Sequence, residues 1–595
     1  MDIPLVIAAL VLRTFVQTVE AEFPDESAAS QASFTAIGMP EGRRYAFSTR
    51  WDDASMRHDR MSRTLSAIGM PSTFYVNGRP SAEFSAVISN VIARGSSIGA
   101  HTITHSYLPR KTSMRLFRDV LENRISLETV SQSAVSVFAL PYSSIATRAD
   151  PQCAVRAGRA LAHAGFLGGA ERNPGQCRTY GLAPERWISS NTFSIDDKNP
   201  DARKFASGYA VAKARIDSGK SLCGPHMTLG VHSWQSDEGM DRLADILRPV
   251  TARNDIWCCN ENEYVAHRVQ FHAAKIERLR VNGRKVEWRV ERPEPYAVGA
   301  VVPLACEFSE LPVRVTADGR DIAAGRSLSL AVPAAHGMPA GFVLLKGGLS
   351  ADGGIVRVEF SNDTGGALEE TVMTLRLPPC CEPGVLTHFA GRLERGERIV
   401  KEWRIARAED EGCGSGFFCA VQTDAVKDGE RLRFWQTFSK DGVPGAEQNC
   451  PRDRCRVAGP FAMKDVGDML AAAEGKWRKA KSEKDDAPYS VSAVCDFKPM
   501  KNGFFLFAFD FDADVESNGE KWDVRADVPV LMRKCAFLLN GADVDVSKPV
   551  TLKDGLNNLV AVVPSDPGNW GGRLMISIAS VANGAGVEYR KVDKR

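Results

Sequence analysis

The sequence predicts a multidomain chain: an α/β half built on parallel strands, then an all-β half. Three observations carry this. From about Tyr45 to Arg268 short strand-like runs alternate with helical periods, and repeated β–α units of that length build a parallel sheet, here an incomplete (β/α) barrel. After about Gln270 long helical periods nearly vanish, and alternating strands are punctuated by Gly, Asn and Asp turns, the pattern of β-sandwich modules. A length of 595 residues exceeds one ordinary domain.

In chain order, RYAFSTRW reads as a strand with Tyr45, Phe47, Thr49 and Trp51 on one face. MRHDRMSRTLSAIG is a helix closed by Gly69, and PSTFYVNG a second strand. SAEFSAVISNVIARG is helical, and SSIGA is a strand running straight into HTITH. RLFRDVLENRISLETV is a helix, VSVFA a strand, and AVRAGRALAHAG a helix before FLGGA. MTLGVHSW returns as a strand, DRLADILRPVTAR as a helix, ahead of DIWCC and ENEYVAHR. Beyond these, VNGRKVEWRV, LPVRVTADGRDI, GGIVRVEFSNDTGG and ALEETVMTLRLP are strands with tight turns. One charged helical insertion, DMLAAAEGKWRKAKSEKDD, interrupts the later β pattern.

Lys+Arg 75 against Asp+Glu 73 leaves no basic excess, which argues against a nucleic-acid partner and a polybasic membrane tether. The apolar run Ile3–Leu12, followed by the small-residue pattern Val19–Ala21, reads as a signal peptide over residues 1–21. The mature chain is then expected to be secreted, periplasmic or at the cell surface, without an integral membrane segment. The spacings Cys413/Cys419, Cys450/Cys455 and Cys153/Cys177 are compatible with local disulfides in such a compartment.

Three features stand at strand ends: Asp52-Asp53, His101-Thr-Ile-Thr-His105, and Gly230-Val-His232-Ser-Trp234. In a parallel α/β architecture the carboxyl ends of strands open on one face, so residues far apart in sequence converge there. Two imidazoles four residues apart address one cation from a single turn, and one added carboxylate makes an open Asp/His/His site with positions left for water and substrate. Adjacent aspartates point in different directions, so one ligates while its unligated neighbour takes a proton from water. His226, His163, His58 and Asp59 read as packing or surface residues.

These motifs, RWDDA, STFYVNG, GAHTITHS, FALPYS and GVHSW in that order, resemble the polysaccharide deacetylases of carbohydrate esterase family 4 over about residues 40–270. The resemblance implies a deformed (β/α) barrel and a divalent metal, zinc being the expected ion, held by Asp53, His101 and His105. It implies Asp52 as general base, His232 as general acid, and the Tyr142 backbone N–H as an oxyanion donor. Trp234, Pro141 and Trp51 are expected to line the substrate pocket. The sequence departs from the family where an arginine usually orients the base, because FALPYS places Ala139 there; Arg50 is the candidate substitute. Asp196 and Asp197 are the candidates to position His232.

The expected organisation is therefore a deacetylase barrel at 36–270, a small β module at 271–335, an immunoglobulin-like β-sandwich at 336–410, and a jelly-roll-like, galactose-binding-like domain at 411–595. The expected function is metal-dependent deacetylation of an acetylated polysaccharide, N-acetyl hexosamine polymers favoured, with carbohydrate binding by the C-terminal β modules. The alternatives are an O-acetyl xylan esterase, and a catalytically impaired carbohydrate-binding or cell-surface protein on the same scaffold.

Overall fold

The computed structural model describes residues 14–105, 108, 113–141, 152–170, 187–221, 223–293, 300, 302–330, 340–341, 346–349, 354–407, 417–440, 454–462, 465–480, 491–492, 500–527, 535–546, 548–565, 573–581, 586–590 and 592. The α/β half is one sheet of eight strands, every pairing parallel. Numbered within this half, they are β1 (Tyr45–Asp52), β2 (Ser72–Val76), β3 (Ser97–Ala100), β4 (Val137–Ala139), β5 (Gly168–Ala170), β6 (Asn191–Ser194), β7 (His226–His232) and β8 (Ile256–Cys258). They lie in the order β5-β4-β3-β2-β1-β7-β6, with β8 paired to the first half of β1.

An isolated parallel bridge between Gly168 and Ile188 joins the β5 edge to the segment leading into β6, curling the sheet toward a barrel. A Cβ on Gly169 would meet the Phe138 carbonyl oxygen at 2.0 Å, so glycine is what lets β5 lie this close to β4. β1 is buried along its whole length, as expected for a parallel strand covered on both faces.

Among the described residues seven helices surround the sheet: α1 (His58–Ser66), α2 (Ala82–Ala93), α3 (Ser113–Ser131), α4 (Gln152–His163), α5 (Ala202–Asp217), α6 (Asp237–Thr251) and α7 (Glu261–Ala273). Their starts follow capping chemistry. Ser81 and Ser236 accept from backbone N–H groups of the first turns of α2 and α6, and Asn260 with Glu263 forms a capping box on α7. α5 has no counterpart in the sequence reading. Its apolar face is thin, with only Phe205 and Ala212 buried, so its period is weak.

The β half differs from its expected boundaries. Thr14–Glu22 is the middle strand of a five-stranded sheet, antiparallel to both Lys285–Pro293 and Arg314–Ala317. Phe34–Ala36 pairs with Leu304–Phe308 in a three-stranded sheet, and the two sheets share a core of Val19, Phe23, Phe34, Trp288 and Phe308. The module expected at 271–335 thus takes its central strand from the chain's first residues. A signal peptide ending at Ala21 is corrected accordingly: cleavage there would cut through a paired strand whose Val19 and Ala21 are wholly buried.

Described strands between Ala340 and Lys440 form a five-stranded, a three-stranded and a two-stranded sheet, so the boundary expected at 411 moves beyond Glu430–Lys440. Long hairpin pairing of Phe417–Lys427 with Glu430–Lys440 is the reason. Two further sheets run from Cys455 to Tyr589 and share a core of Phe505, Phe507, Phe509, Trp522, Ile576 and Ile578. The expected helical insertion is the short helix Val466–Ala473, stopped before Gly475, whose φ is +70°. No described helix is long and apolar enough to cross a membrane.

The 340–440 unit packs directly on α3. Phe117 meets Phe418 edge-on at 6.2 Å, and the fully buried Glu128 carboxylate accepts from Arg124 Nε (2.9 Å), Arg433 Nη1 (3.2 Å) and Trp435 Nε1 (2.8 Å). Burial works against the Glu128 charge, but Arg124 and Arg433 outweigh it and hold its pKa at about 2. Burial and the neighbouring Arg433 push Arg124 down, whereas Arg433, facing both Asp424 and Glu128, is driven up. The common direction is an ionised Glu128, set between two guanidiniums.

Candidate metal centre and acid–base pair

The tips of β1, β3, β6 and β7 supply the site. Asp52 closes β1 and Asp53 turns away with a left-handed backbone, φ +69°. Thr102 and His105 are also left-handed, at φ +68° and +47°. Non-glycine residues persist in that region only where surroundings hold them, and such strain gathers at functional sites. The surroundings are α3 and the β2 loop. Asp119 Oδ1 accepts from the Ile103 and Thr104 N–H groups at 3.0 and 3.1 Å. Asn123 accepts from the His101 N–H at 2.8 Å while its amide donates to the Gly78 carbonyl at 3.0 Å. Asn77, from the STFYVNG motif, accepts from the Ala54 N–H at 2.7 Å.

These restraints bring Asp53, His101 and His105 together. Asp53 Oδ1 lies 2.9 Å from His105 Nε2 and 3.4 Å from His101 Nε2, and the three donor atoms fall within 4.8 Å of one another. His101 Nδ1 donates to the Ala139 carbonyl at 2.8 Å, which leaves the Nε2 lone pair facing Asp53. Burial opposes the Asp53 charge, yet the two histidines hold its pKa well below the ordinary carboxylate range. One carboxylate oxygen and two imidazole nitrogens, with one ring fixed by an outer carbonyl, suit a divalent cation of intermediate softness. The donor set fits the expected metal.

Asp52 is the register partner of His232 across β1 and β7. Its Oδ2 accepts from Arg50 Nη2 at 3.0 Å, both side chains being buried, and its Oδ1 has no hydrogen-bond partner among the described residues. Arg50 therefore meets Asp52 from the same strand. Gly230 makes room for it, since a Cβ there would stand 2.9 Å from Arg50 Nε. His232 is held by Asp197: Oδ1 accepts from the His232 N–H at 2.8 Å, and Oδ2 accepts from Nδ1 at 3.0 Å. Its Nε2 points inward, 3.9 Å from Asp53 Oδ2. Burial disfavours the imidazolium, but the Asp197 hydrogen bond and the Asp53 and Asp52 charges prevail and raise the His232 pKa. Asp196 instead accepts from the Lys198 and Asn199 N–H groups and only shapes the turn.

Of the expected pocket residues, Trp234 is half-buried and stacks on His232 at 4.0 Å and 14°. Trp51 is corrected. It is fully buried, packs on Phe74 and donates to Thr49, because strand alternation turns it into the barrel wall, out of a sugar's reach. Pro141, two residues after the Ala139 whose carbonyl orients His101, is likewise buried. Tyr142 lies outside the described residues. One residue of the site escaped the sequence reading. His58 Nε2 sits 2.6 Å from the Asp53 carbonyl oxygen, and its Nδ1 2.8 Å from Ser233 Oγ. A histidine at the start of a surface-type helix carries no signal for this.

An Asp/His/His cluster at the strand tips of a parallel barrel, flanked by a carboxylate and a histidine–aspartate pair, has the donor set of an open three-ligand metal site. Residues 42–159 match the family model for polysaccharide deacetylase, so over that segment, which contains Asp52, Asp53, His101 and His105, the motif resemblance is borne out. No curated protein matches the chain. Among solved structures, the family 4 carbohydrate esterase from Streptomyces lividans in complex with acetate aligns at 12% identity, covering 37% of this chain and 95% of its own, with a TM-score of 0.25. The polysaccharide deacetylase Bc1974 from Bacillus cereus aligns at 12% identity, over 36% and 92%, TM-score 0.25. The peptidoglycan deacetylase PdaC from Bacillus subtilis aligns at 13% identity, over 38% and 91%, TM-score 0.23.

Proposed function

We propose that the barrel is a metal-dependent deacetylase of an acetylated polysaccharide, with N-acetyl hexosamine polymers favoured over acetylxylan. The observation that carries this is the convergence of two preorganised halves: a three-donor cluster, and an acid–base pair in which each member is held by its own charged partner. Asp53, His101 and His105 would hold the divalent ion, with zinc the favoured identity. When bound, such an ion acts as a Lewis acid on the acetyl carbonyl and makes a nearby water more acidic.

The chain's own residues do the remainder. Asp52, anchored through Oδ2 to Arg50, presents Oδ1 to take a proton from the attacking water. His232, its Nδ1 proton engaged by Asp197, delivers the Nε2 proton to the departing amine or alkoxide. Water adds across the acyl bond, giving acetate and the free amine or hydroxyl. Trp234 stacks behind His232 and supplies an apolar wall for the acetyl methyl.

The rival reading, a scaffold without turnover, rested on Ala139 standing where the orienting arginine belongs. Arg50 at 3.0 Å from Asp52 supports the enzyme instead. We read the 340–440 unit as an immunoglobulin-like sandwich and the 455–589 unit as a galactose-binding-like jelly roll that binds glycan. A polymeric glycan substrate and the apolar run Ile3–Leu12 support work outside the cytoplasm. Elemental analysis of the purified chain, with acetate release measured on chitin oligomers, peptidoglycan and acetylxylan, tests the proposal. Acetate release abolished by Asp52→Asn supports it; bound metal with no acetate from any substrate overturns it.

A further inference from the structure

His58 belongs to neither the cluster nor the acid–base pair, yet it touches both. Its ring is 1% exposed and lies between Phe74 and Phe84, at 4.8 and 6.2 Å between centroids. Both ring nitrogens are used. The Asp53 carbonyl oxygen can only accept, so Nε2 carries the proton of that 2.6 Å bond. Nδ1 then meets the hydroxyl of Ser233, a residue with no exposed surface that directly follows His232. One rigid imidazole thus spans from the residue that turns left-handed at the tip of β1 to the residue after the tip of β7.

We infer that His58 is a positioning residue that fixes the separation between the Asp53 carboxylate and the His232 imidazole, the inference resting on the function proposed above. Asp53 holds φ +69° only if its peptide groups are held, and the bond to its carbonyl is such a hold. The Asn77 bond to the next N–H is the other. Freed at the carbonyl, residue 53 relaxes and its carboxylate leaves the two imidazoles. Freed at Ser233, the residue after the β7 tip loses its side-chain tie to the β1 tip, the backbone ladder between Asp52 and His232 remaining, while Asp53 keeps its place.

The test uses the full-length chain and three variants, His58→Phe, His58→Gln and Ser233→Ala. Zinc affinity is read by chelator competition without substrate, and kcat and KM by acetate release. His58→Phe keeps a ring between Phe74 and Phe84 and removes both bonds; its zinc affinity should fall roughly tenfold to a hundredfold, the usual effect of losing an outer-shell partner. His58→Gln, whose amide nitrogen reaches the Nε2 position, should recover most of that affinity. Ser233→Ala should lower kcat with zinc affinity and KM retained, and should add nothing to His58→Phe in the double variant. Zinc affinity within about twofold of the parent in His58→Phe, or strictly additive effects in the double variant, overturns the inference while leaving the deacetylase reading intact. If His58→Phe does not fold, the Gln and Ala variants decide it. A parent chain that takes up no zinc overturns both.

Discussion

Replacing Arg50 by methionine isolates what its guanidinium does, because methionine keeps the unbranched stem inside the barrel. Asp52 would remain as a buried carboxylate with neither oxygen bonded to a described side chain. Breaking a buried pair from one side costs about 3–5 kcal/mol. Arg50 also buries Nε and Nη1 without partners, and methionine removes that penalty, about 1–3 kcal/mol for each unpaired group. The two terms largely offset, so the net destabilisation should be about 2 kcal/mol or less, a fall of a few degrees in Tm. Turnover should respond far more. A general base contributes about 10²–10⁴-fold, and a carboxylate free to rotate forfeits much of it, so kcat should fall on the order of a hundredfold. KM and metal content should stay at the parent's values. Acetate release, elemental analysis and thermal unfolding on the same preparation check this. A variant that turns over within about threefold of the parent would refute the claim that Arg50 orients the base.

His232→Ala should lower kcat by about 10²–10⁴-fold at unchanged metal content; loss of metal would reassign His232 as a ligand. Trp51→Ala should destabilise by about 3–5 kcal/mol, as for a buried tryptophan, with KM unchanged, whereas Trp234→Ala should raise KM with little change in Tm; denaturant melts and kinetics separate the two. For Glu128, whose pKa is held at about 2 against an ordinary 4.5, the stabilisation is present above about pH 4.5 and is lost as pH falls toward 2. That contribution is roughly 3 kcal/mol, so a Glu128→Gln chain should be less stable at pH 7 and show a flatter acid limb; equal slopes would count against the buried ionised carboxylate. Zinc returned to chelator-treated protein at a hundred times its Kd should stabilise by about 2.7 kcal/mol, and a Tm indifferent to zinc would exclude a site that prefers the native state.

The donor cluster was legible because its residues sit in short motifs at strand ends, where a parallel sheet has only one face to deliver them to. Arg50 was readable as a candidate only, since two residues along a strand restores the same face but fixes no contact. Asp196 and Asp197 were indistinguishable by type, and a single turn decides between them: one caps the loop, the other reaches His232. His58 carried no signal, because its role depends on Ser233, far along the chain. Trp51 was misplaced by proximity to the aspartates, though strand alternation sends it into the wall. The cleavage point was misplaced because small residues such as Val19 and Ala21 occur alike at the end of a leader and in a buried strand. Only the partners Lys285–Pro293 and Arg314–Ala317 distinguish them.

That first strand has a consequence for biosynthesis. The barrel is an insertion between two parts of one β module, and 265 residues separate Glu20 from its ion-pair partner Lys285. At ordinary elongation rates of about 5–20 residues per second, Thr14–Glu22 leaves the ribosome roughly 15–50 seconds before either of its strand partners exists. Until then it is a bare, pairing-competent edge. A nascent chain stalled or truncated after the barrel would carry a finished barrel trailing an orphan strand, and a circular permutant that moves the strand beyond Leu330 should need less chaperone to reach the same fold.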